Sequence, residues 1–266
     1  MHPAGWKCAS FLIAASLLAG FSTPAVARDA SSGESEVVVL LHGLARSASS
    51  MSRLARSLES AGYRVCNLSY PSRKHSIEKL AAEFVAPGVR ACVLRPMQPV
   101  HFVTHSLGGI IVRQLAAAAP DIRIGRVVML SPPNHGSEVV DKLGGLLLFR
   151  LINGPAGRQL GTDSLSLPRR LGEPTFDLGI ITGKRTINPI LSRLIPGEDD
   201  GKVSIESAKL AAMKDFMVVS SSHPFIMKNS EAVAQTIEFL RDGRFTHPAP
   251  RPGVTDRHAD AAAAEL

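Results

Sequence analysis

Val100-His101-Phe102-Val103-Thr104-His105-Ser106-Leu107-Gly108-Gly109 is the stretch whose reading decides the fold. An apolar run ends abruptly at Thr104–Gly108. Beyond it, Ile110, Ile111, Val112, Leu115 and the alanines at 116–119 read as a largely apolar helix, with Pro120 past its end. A serine wedged between a strand and a helix is the pattern of a nucleophile elbow. The sharp turn lifts the hydroxyl clear of the sheet, the helix N-terminus points at it, and small flanking residues let backbone pack close. The usual form of that turn is Gly-x-Ser-x-Gly, and Thr104 stands here at the first glycine position. The bland alternative is a strand–helix turn built from Ser and Gly, with no chemistry attached.

Outward from this turn the chain alternates strands and helices. Residues 37–41 are a continuous apolar run of the kind a strand buried on both faces requires. A helix follows over about 50–60, with Met51, Leu54, Ala55 and Leu58 at helical spacing and Gly62 ending it. A strand over 63–68 comes next, then a helix over 76–84 capped by Ser76, with Ile77, Leu80, Ala81 and Phe84 on one face. Further strands fall at 126–130, 179–183 and 216–219, with helices at 207–213 and from Ser230 onward. That order predicts an α/β fold, a mostly parallel central sheet covered by helices on both faces. The pattern breaks over 134–174, where the apolar stretch Leu143–Ile152 is followed by frequent Gly, Pro and Ser. An insert of that length is either a cap or wall over a site or an ordinary core helix, and periodicity does not separate the two.

At 266 residues, with 45% hydrophobic and 20% charged, the chain can bury one substantial core, so one domain over 37–244 is expected. The net charge of +7 raises nucleic acid as a partner. Scattered Lys and Arg, two Tyr and one Trp argue against it, and an anionic lipid or envelope surface fits as well. Lys7, the apolar stretch 8–21 and Ala25-Val26-Ala27 read as a signal peptide over 1–27, too short for a comfortable membrane span, although an uncleaved anchor is the alternative. Residues 28–36 then form a polar leader and 245–266 a disordered tail, and the mature protein is expected in the periplasm or outside the cell. Cys66 and Cys92 remain after cleavage. In an oxidising compartment they are candidates for a disulfide, and otherwise for two small buried hydrophobes. No Cys/His grouping has zinc-ligand spacing, so no metal is expected.

A serine hydroxyl is a weak nucleophile unless a base takes its proton and a carboxylate orients the base. After Ser106 the chain presents an acid in the loop 196–203, then His223 after the last strand. His223 lies between that loop and the tail, whereas His42 and His105 sit where shaping loops by hydrogen bonds is the simpler role. His42-Gly43, Thr104–Gly109, Ser131-Pro132-Pro133-Asn134-His135-Gly136-Ser137 and Asp200-Gly201-Lys202-Val203 together resemble the bacterial lipase and esterase branch of the α/β-hydrolase superfamily.

The resemblance covers most of 36–244. It implies the α/β-hydrolase fold and a triad of Ser106 as nucleophile, His223 as base and Asp200 as acid, with Asp199 the competing acid. It further implies an oxyanion hole from the backbone N–H groups of Leu44 and Leu107. The expected activity is cleavage of carboxylic esters through an acyl-enzyme, without cofactor, on an acyl ester or lipid substrate. Peripheral contact with a lipid interface is compatible with this. Leu146 and Leu147 are the candidate substrate-binding residues of the insert. Acyl transfer or thioester cleavage on the same triad, and a non-catalytic binding protein of this fold, are the alternatives.

Overall fold

The computed structural model describes residues 35–247. The signal-peptide and leader readings over 1–34, and the tail beyond His247, lie outside the described residues. Six strands form one sheet: β1 (Val37–Leu41), β2 (Arg64–Leu68), β3 (Val100–His105), β4 (Ile124–Leu130), β5 (Leu178–Gly183) and β6 (Asp215–Val219). Their spatial order is β2-β1-β3-β4-β5-β6, and every neighbouring pair is parallel. Parallel strands need crossovers, and these put helices on both faces.

The two faces follow from the period of two along each strand. Val37, Val39 and Leu41 share one core with Phe102, Val127 and Met129. Val38 and Leu40 point the other way, into a core with Val103, Val128 and Leu130. Against the second face lie α1 (Ser52–Ser60), through Leu54 and Leu58, and a long C-terminal helix over Ser230–Asp242, through Phe239 and Leu240.

The first face is covered by a continuous helical segment over residues 77–92. It is made of α2 (Ile77–Lys79), a π-turn over Leu80–Val85 and α3 (Ala86–Cys92). The helix that the sequence places from Ser76 to Phe84 runs on through Pro87 and Gly88. The π-turn carries the chain past Pro87, which sits in the first turn of α3, where a missing N–H is tolerated. Gly88 fits because a Cβ there would lie 3.0 Å from Leu68. The crossover thus packs closely on edge strand β2. Cys92 at its end is bonded to Cys66 in that strand, with Cα atoms 6.3 Å apart. Closing a loop of this length is worth about 3.5 kcal/mol in the chain-entropy account.

The helix α4 (Leu107–Ala118) follows β3 and packs on the same face. After β4 come α5 (Glu138–Leu143), α6 (Leu147–Arg158) and α7 (Leu167–Arg170), and after β5 α8 (Pro189–Ser192) and α9 (Ile205–Ala208). The Ser230–Asp242 helix completes the set as α10. The helix expected over 207–213 is instead the short α9, begun at 205 rather than 207 and capped by Ser204, whose hydroxyl accepts from Ser207 N. The chain stays packed past Arg244. Phe245 is buried against Phe239, and Gly179 leaves the space both rings occupy. His247 Nε2 meets Asp215 at 2.7 Å. The domain boundary therefore lies at or beyond His247 rather than at 244.

Candidate active site

The carboxyl ends of β3, β5 and β6 deliver the three candidate catalytic residues to one place. Ser106 ends β3 with φ of 52° and ψ of −118°, a conformation non-glycine residues avoid. Its N–H donates to Leu130 O at 2.9 Å, tying the turn to the end of β4. The turn holds because the helix behind it approaches so closely. A Cβ on Gly108 would lie 2.6 Å from Leu41 O, and one on Gly109 3.1 Å from Pro132. Thr104 replaces the usual first glycine, is fully buried, and its hydroxyl has no hydrogen-bond partner among the described residues.

His223 Nε2 is 3.0 Å from Ser106 Oγ, and its Nδ1 is 2.8 Å from Asp200 Oδ2. With Nδ1–H donating to the carboxylate, Nε2 is free to accept the serine proton. Asp200 is fully buried. Its Oδ1 accepts from the N–H groups of Lys202 and Val203, and its own carbonyl accepts from His223 N. Burial disfavours the Asp200 carboxylate, but the facing His223 ring and its hydrogen bond outweigh it, and the carboxyl sits below the ordinary aspartate value. Asp199 points elsewhere: it accepts from Gly201 N at 2.6 Å and from the Ser192 hydroxyl, shaping the turn that presents its neighbour. Between the two acids, Asp200 is the one against His223.

His105 Nε2–H donates to His223 O at 3.0 Å and so fixes the backbone of the base. His42 carries its proton on Nδ1, accepts from Tyr70 N through Nε2, and stacks on the Tyr70 ring at 4.0 Å. The Tyr70 hydroxyl in turn donates to His42 O. These contacts hold the loop after β1 against the serine turn. A Cβ on Gly43 would lie 2.7 Å from His105 Nδ1 and 3.3 Å from Ser106 Cβ. The backbone around Leu44 therefore passes beside Ser106, while Leu107 opens α4 with its N-terminus at the serine.

Burial holds His105 well below the ordinary histidine value, His223's charge adding to it, and burial also lowers His42. An unfolded chain protonates these rings near pH 6.5, whereas the folded one resists. The unfolded state then binds more protons, and stability falls as pH drops below about 6.5. The stabilisation from Asp200 survives to lower pH, being lost only as pH falls through its depressed folded value. The melting temperature is expected to fall between pH 7.5 and 5.5, and to fall less in His105→Gln. Equal slopes in the two proteins would remove His105 as a source.

Ser106 and His223 sit in a cavity of about 330 Å³. Its apolar lining comes from Val139, Val140, Leu143, Ile152, Leu160 and Leu191. Leu146 and Leu147, the residues expected to bind substrate, are not in this wall and are 57% and 72% exposed. The apolar stretch is two helices, broken at Gly144-Gly145, and the break turns those leucines outward while α5 and the later part of α6 supply Leu143 and Ile152. Leu151 is exposed as well, so the described side chains of this part of the stretch do not pack as those of a core helix.

Sequence reading missed the residue that holds this insert. Arg113, buried on α4, donates to Asn134 O and Oδ1 at 3.1 and 3.2 Å, and to Pro168 O and Gly172 O at 2.9 and 2.8 Å. Burial pulls its pKa down to about 10, with Glu173 opposing, and it remains charged at neutral pH. Asn134 Nδ2 donates onward to Ala208 O, and the Ser137 hydroxyl to Lys202 O. The motif at 131–137 thus anchors the root of the insert. Among the described residues no group of three or more His, Cys, Asp or Glu is disposed to hold a metal, and no helix is long and apolar enough to cross a membrane.

A family model for the alpha/beta hydrolase fold matches residues 36–162, from β1 into the insert, ending before Asp200 and His223. No curated protein sequence matches the chain. Among solved structures, the mature form of a Bacillus licheniformis lipase is similar, with a TM-score of 0.62 and 19% identity over 79% of this chain and 92% of that one. A metagenomic carboxyl esterase has a TM-score of 0.57 and 19% identity, over 73% and 66% of the two chains. A Legionella pneumophila phospholipase has a TM-score of 0.51 and 18% identity, over 66% and 46%. At such identities the likeness is one of fold. Family match, all-parallel sheet and serine turn agree, and the fold is that of the α/β-hydrolases.

Proposed function

We propose that this protein is a carboxylic ester hydrolase with Ser106 as nucleophile, His223 as general base and acid, and Asp200 as the orienting carboxylate. The observation that carries the reading is the hydrogen-bonded chain from Ser106 Oγ through His223 to buried Asp200, at 3.0 and 2.8 Å, on the floor of a cavity with an apolar wall. Ser106 Oγ forms a bond to the ester carbonyl carbon as its proton passes to His223 Nε2. The tetrahedral oxyanion is held by the N–H groups of Leu107 and Leu44. The ester C–O bond then breaks, the alcohol leaves with the proton from His223, and water, deprotonated by the same ring, releases the acid. Two preorganised backbone donors stabilise charge without reorganising, each worth about 3 kcal/mol.

The reading extends to place. The composition of residues 1–27 and the Cys66–Cys92 bond both favour an oxidising compartment outside the cytoplasm, where we place the reaction. A fluorophosphonate probe followed by peptide mapping tests the nucleophile: labelling of Ser106, with turnover of p-nitrophenyl esters, is expected. A folded protein left unlabelled and inactive on the whole ester series would reject the proposal.

The apolar wall makes a second expectation. Each acyl methylene buried there is worth about 0.8 kcal/mol, or roughly fourfold in kcat/KM. Ile152→Asp and Leu143→Asp should flatten the rise of kcat/KM with acyl length while sparing acetate esters. Leu147→Asp, on the exposed side, should leave the profile as it was. A profile altered by Leu147→Asp and not by the other two would relocate the acyl site.

A further inference from the structure

Arg46 stands where three recesses meet. It lines the cavity of Ser106 and His223 and also two grooves beside it. One groove adds Arg73 and Lys74, the other Lys228, and Lys202 lines the cavity itself. No Asp or Glu lines any of the three. The chain as a whole has 23 acidic residues against 30 basic ones, so a random rim would contain both signs. Elsewhere Lys79, Arg90, Lys214 and Arg241 find carboxylates. Among the described residues none of the five cations at this opening makes a salt bridge.

Arg46 and Lys202 are close enough to feel each other. Loss of water around the Lys202 ammonium, and then the Arg46 charge, hold its pKa below the ordinary lysine value, with Asp200 acting the other way. Two cations without a carboxylate between them are stabilised by an anion placed there. The same cavity also has Val140, Leu143 and Ile152 in its lining, which suit an acyl chain and leave the cations for the other half of an ester.

We propose that the substrate is an acyl ester whose alcohol portion carries a phosphate or carboxylate, seated between Arg46 and Lys202. The proposal rests on the ester-hydrolase reading of Ser106. Arg46 offers a planar fork for two oxygens, and Lys202 a mobile point charge.

The test compares two soluble substrates with the same acyl group, the butyryl esters of glycerol and of glycerol 3-phosphate, on the whole protein. The ratio of kcat/KM, anionic over neutral, is expected to be about tenfold at low salt and to shrink at high ionic strength. Arg46→Glu should bring the ratio to one or below, and Lys202→Gln should lower it by a smaller factor. Should Arg46→Glu fail to fold, Arg46→Gln gives the same reading with a smaller change. A wild-type ratio of one or less overturns the proposal, as does a ratio that none of these variants moves.

Because both esters are soluble, the ratio reports a bound anion rather than attraction to a surface. Ser106→Ala protein sedimented with phosphatidylcholine vesicles, with and without phosphatidylglycerol, reads the surface separately. Charge-dependent sedimentation alongside a ratio of one would assign these cations to membrane docking and overturn the substrate proposal. Hydrolysis of the neutral ester at a ratio of one defeats this proposal alone. No hydrolysis of either ester, with Ser106 unlabelled, defeats the hydrolase reading and this one with it.

Discussion

Ser106→Ala is expected to lower kcat/KM for p-nitrophenyl esters by on the order of 10⁶, with far-UV circular dichroism and melting temperature held. The hydroxyl makes one side-chain contact among the described residues, to His223 Nε2, so its removal takes away the attacking atom without opening a packing defect. His223→Ala should cost about as much, and the double variant no more than either, because the pair acts as one unit. Asp200→Asn should cost less, on the order of 10⁴, since the carboxylate orients and stabilises the ring without taking the proton. Asp199→Asn disturbs only the turn and should fall well short of that. Activity retained in Ser106→Ala would remove this serine from the reaction, and greater damage at 199 than at 200 would move the acid by one residue.

Arg113→Ala is expected to destabilise the protein by about 3–4 kcal/mol, read as a melting temperature lower by roughly 10 °C. The guanidinium does not line the cavity of Ser106 but satisfies acceptors on the chain leaving β4 and on α7 and the turn after it. Truncation leaves the acceptors at Asn134 and Pro168 buried and unpaired, which costs more than the bonds themselves contributed. Faster proteolysis within 134–174 should accompany the lower melting point. Arg113→Lys should recover part of the loss, since an ammonium cannot reach all four acceptors at once. An unchanged melting temperature would show that the insert is held by its apolar contacts alone.

Strands β1 and β3 were legible because burial on both faces leaves a continuous apolar run, a stronger signal than alternation. The serine turn was legible because Ser106, Gly108 and Gly109 fall where a helix must crowd a strand end, and the candidate base because His223 follows the last strand. Other features were not. The run of the helix on through Pro87 and Gly88 was not read, and the π-turn before Pro87 and the close contact with Leu68 are what accommodate them. Leu146 and Leu147 share their composition with residues that do line the cavity. The break at Gly144-Gly145 decides which side faces inward, and apolar content does not encode that. Arg113 and Arg46 are invisible for a further reason: a single arginine reads as a solvated charge until the carbonyls around it, or the missing carboxylates, are placed in space.

The sheet order gives the proposed catalytic residues to the loops that follow β3, β5 and β6 and leaves the end of β4 to the insert. The insert is therefore a cassette. The chain enters it past Asn134 and leaves it before β5 without passing through any of Ser106, Asp200 or His223. A foreign segment from a relative of the same fold could be transplanted there to change what the cavity accepts, with Ser106, Asp200 and His223 left in place. The graft has to respect its fastenings: an asparagine at 134 and two backbone carbonyls near 168 and 172 for the buried guanidinium to grip. It must also keep Gly136, where any Cβ would lie 2.0 Å from Gly161 O.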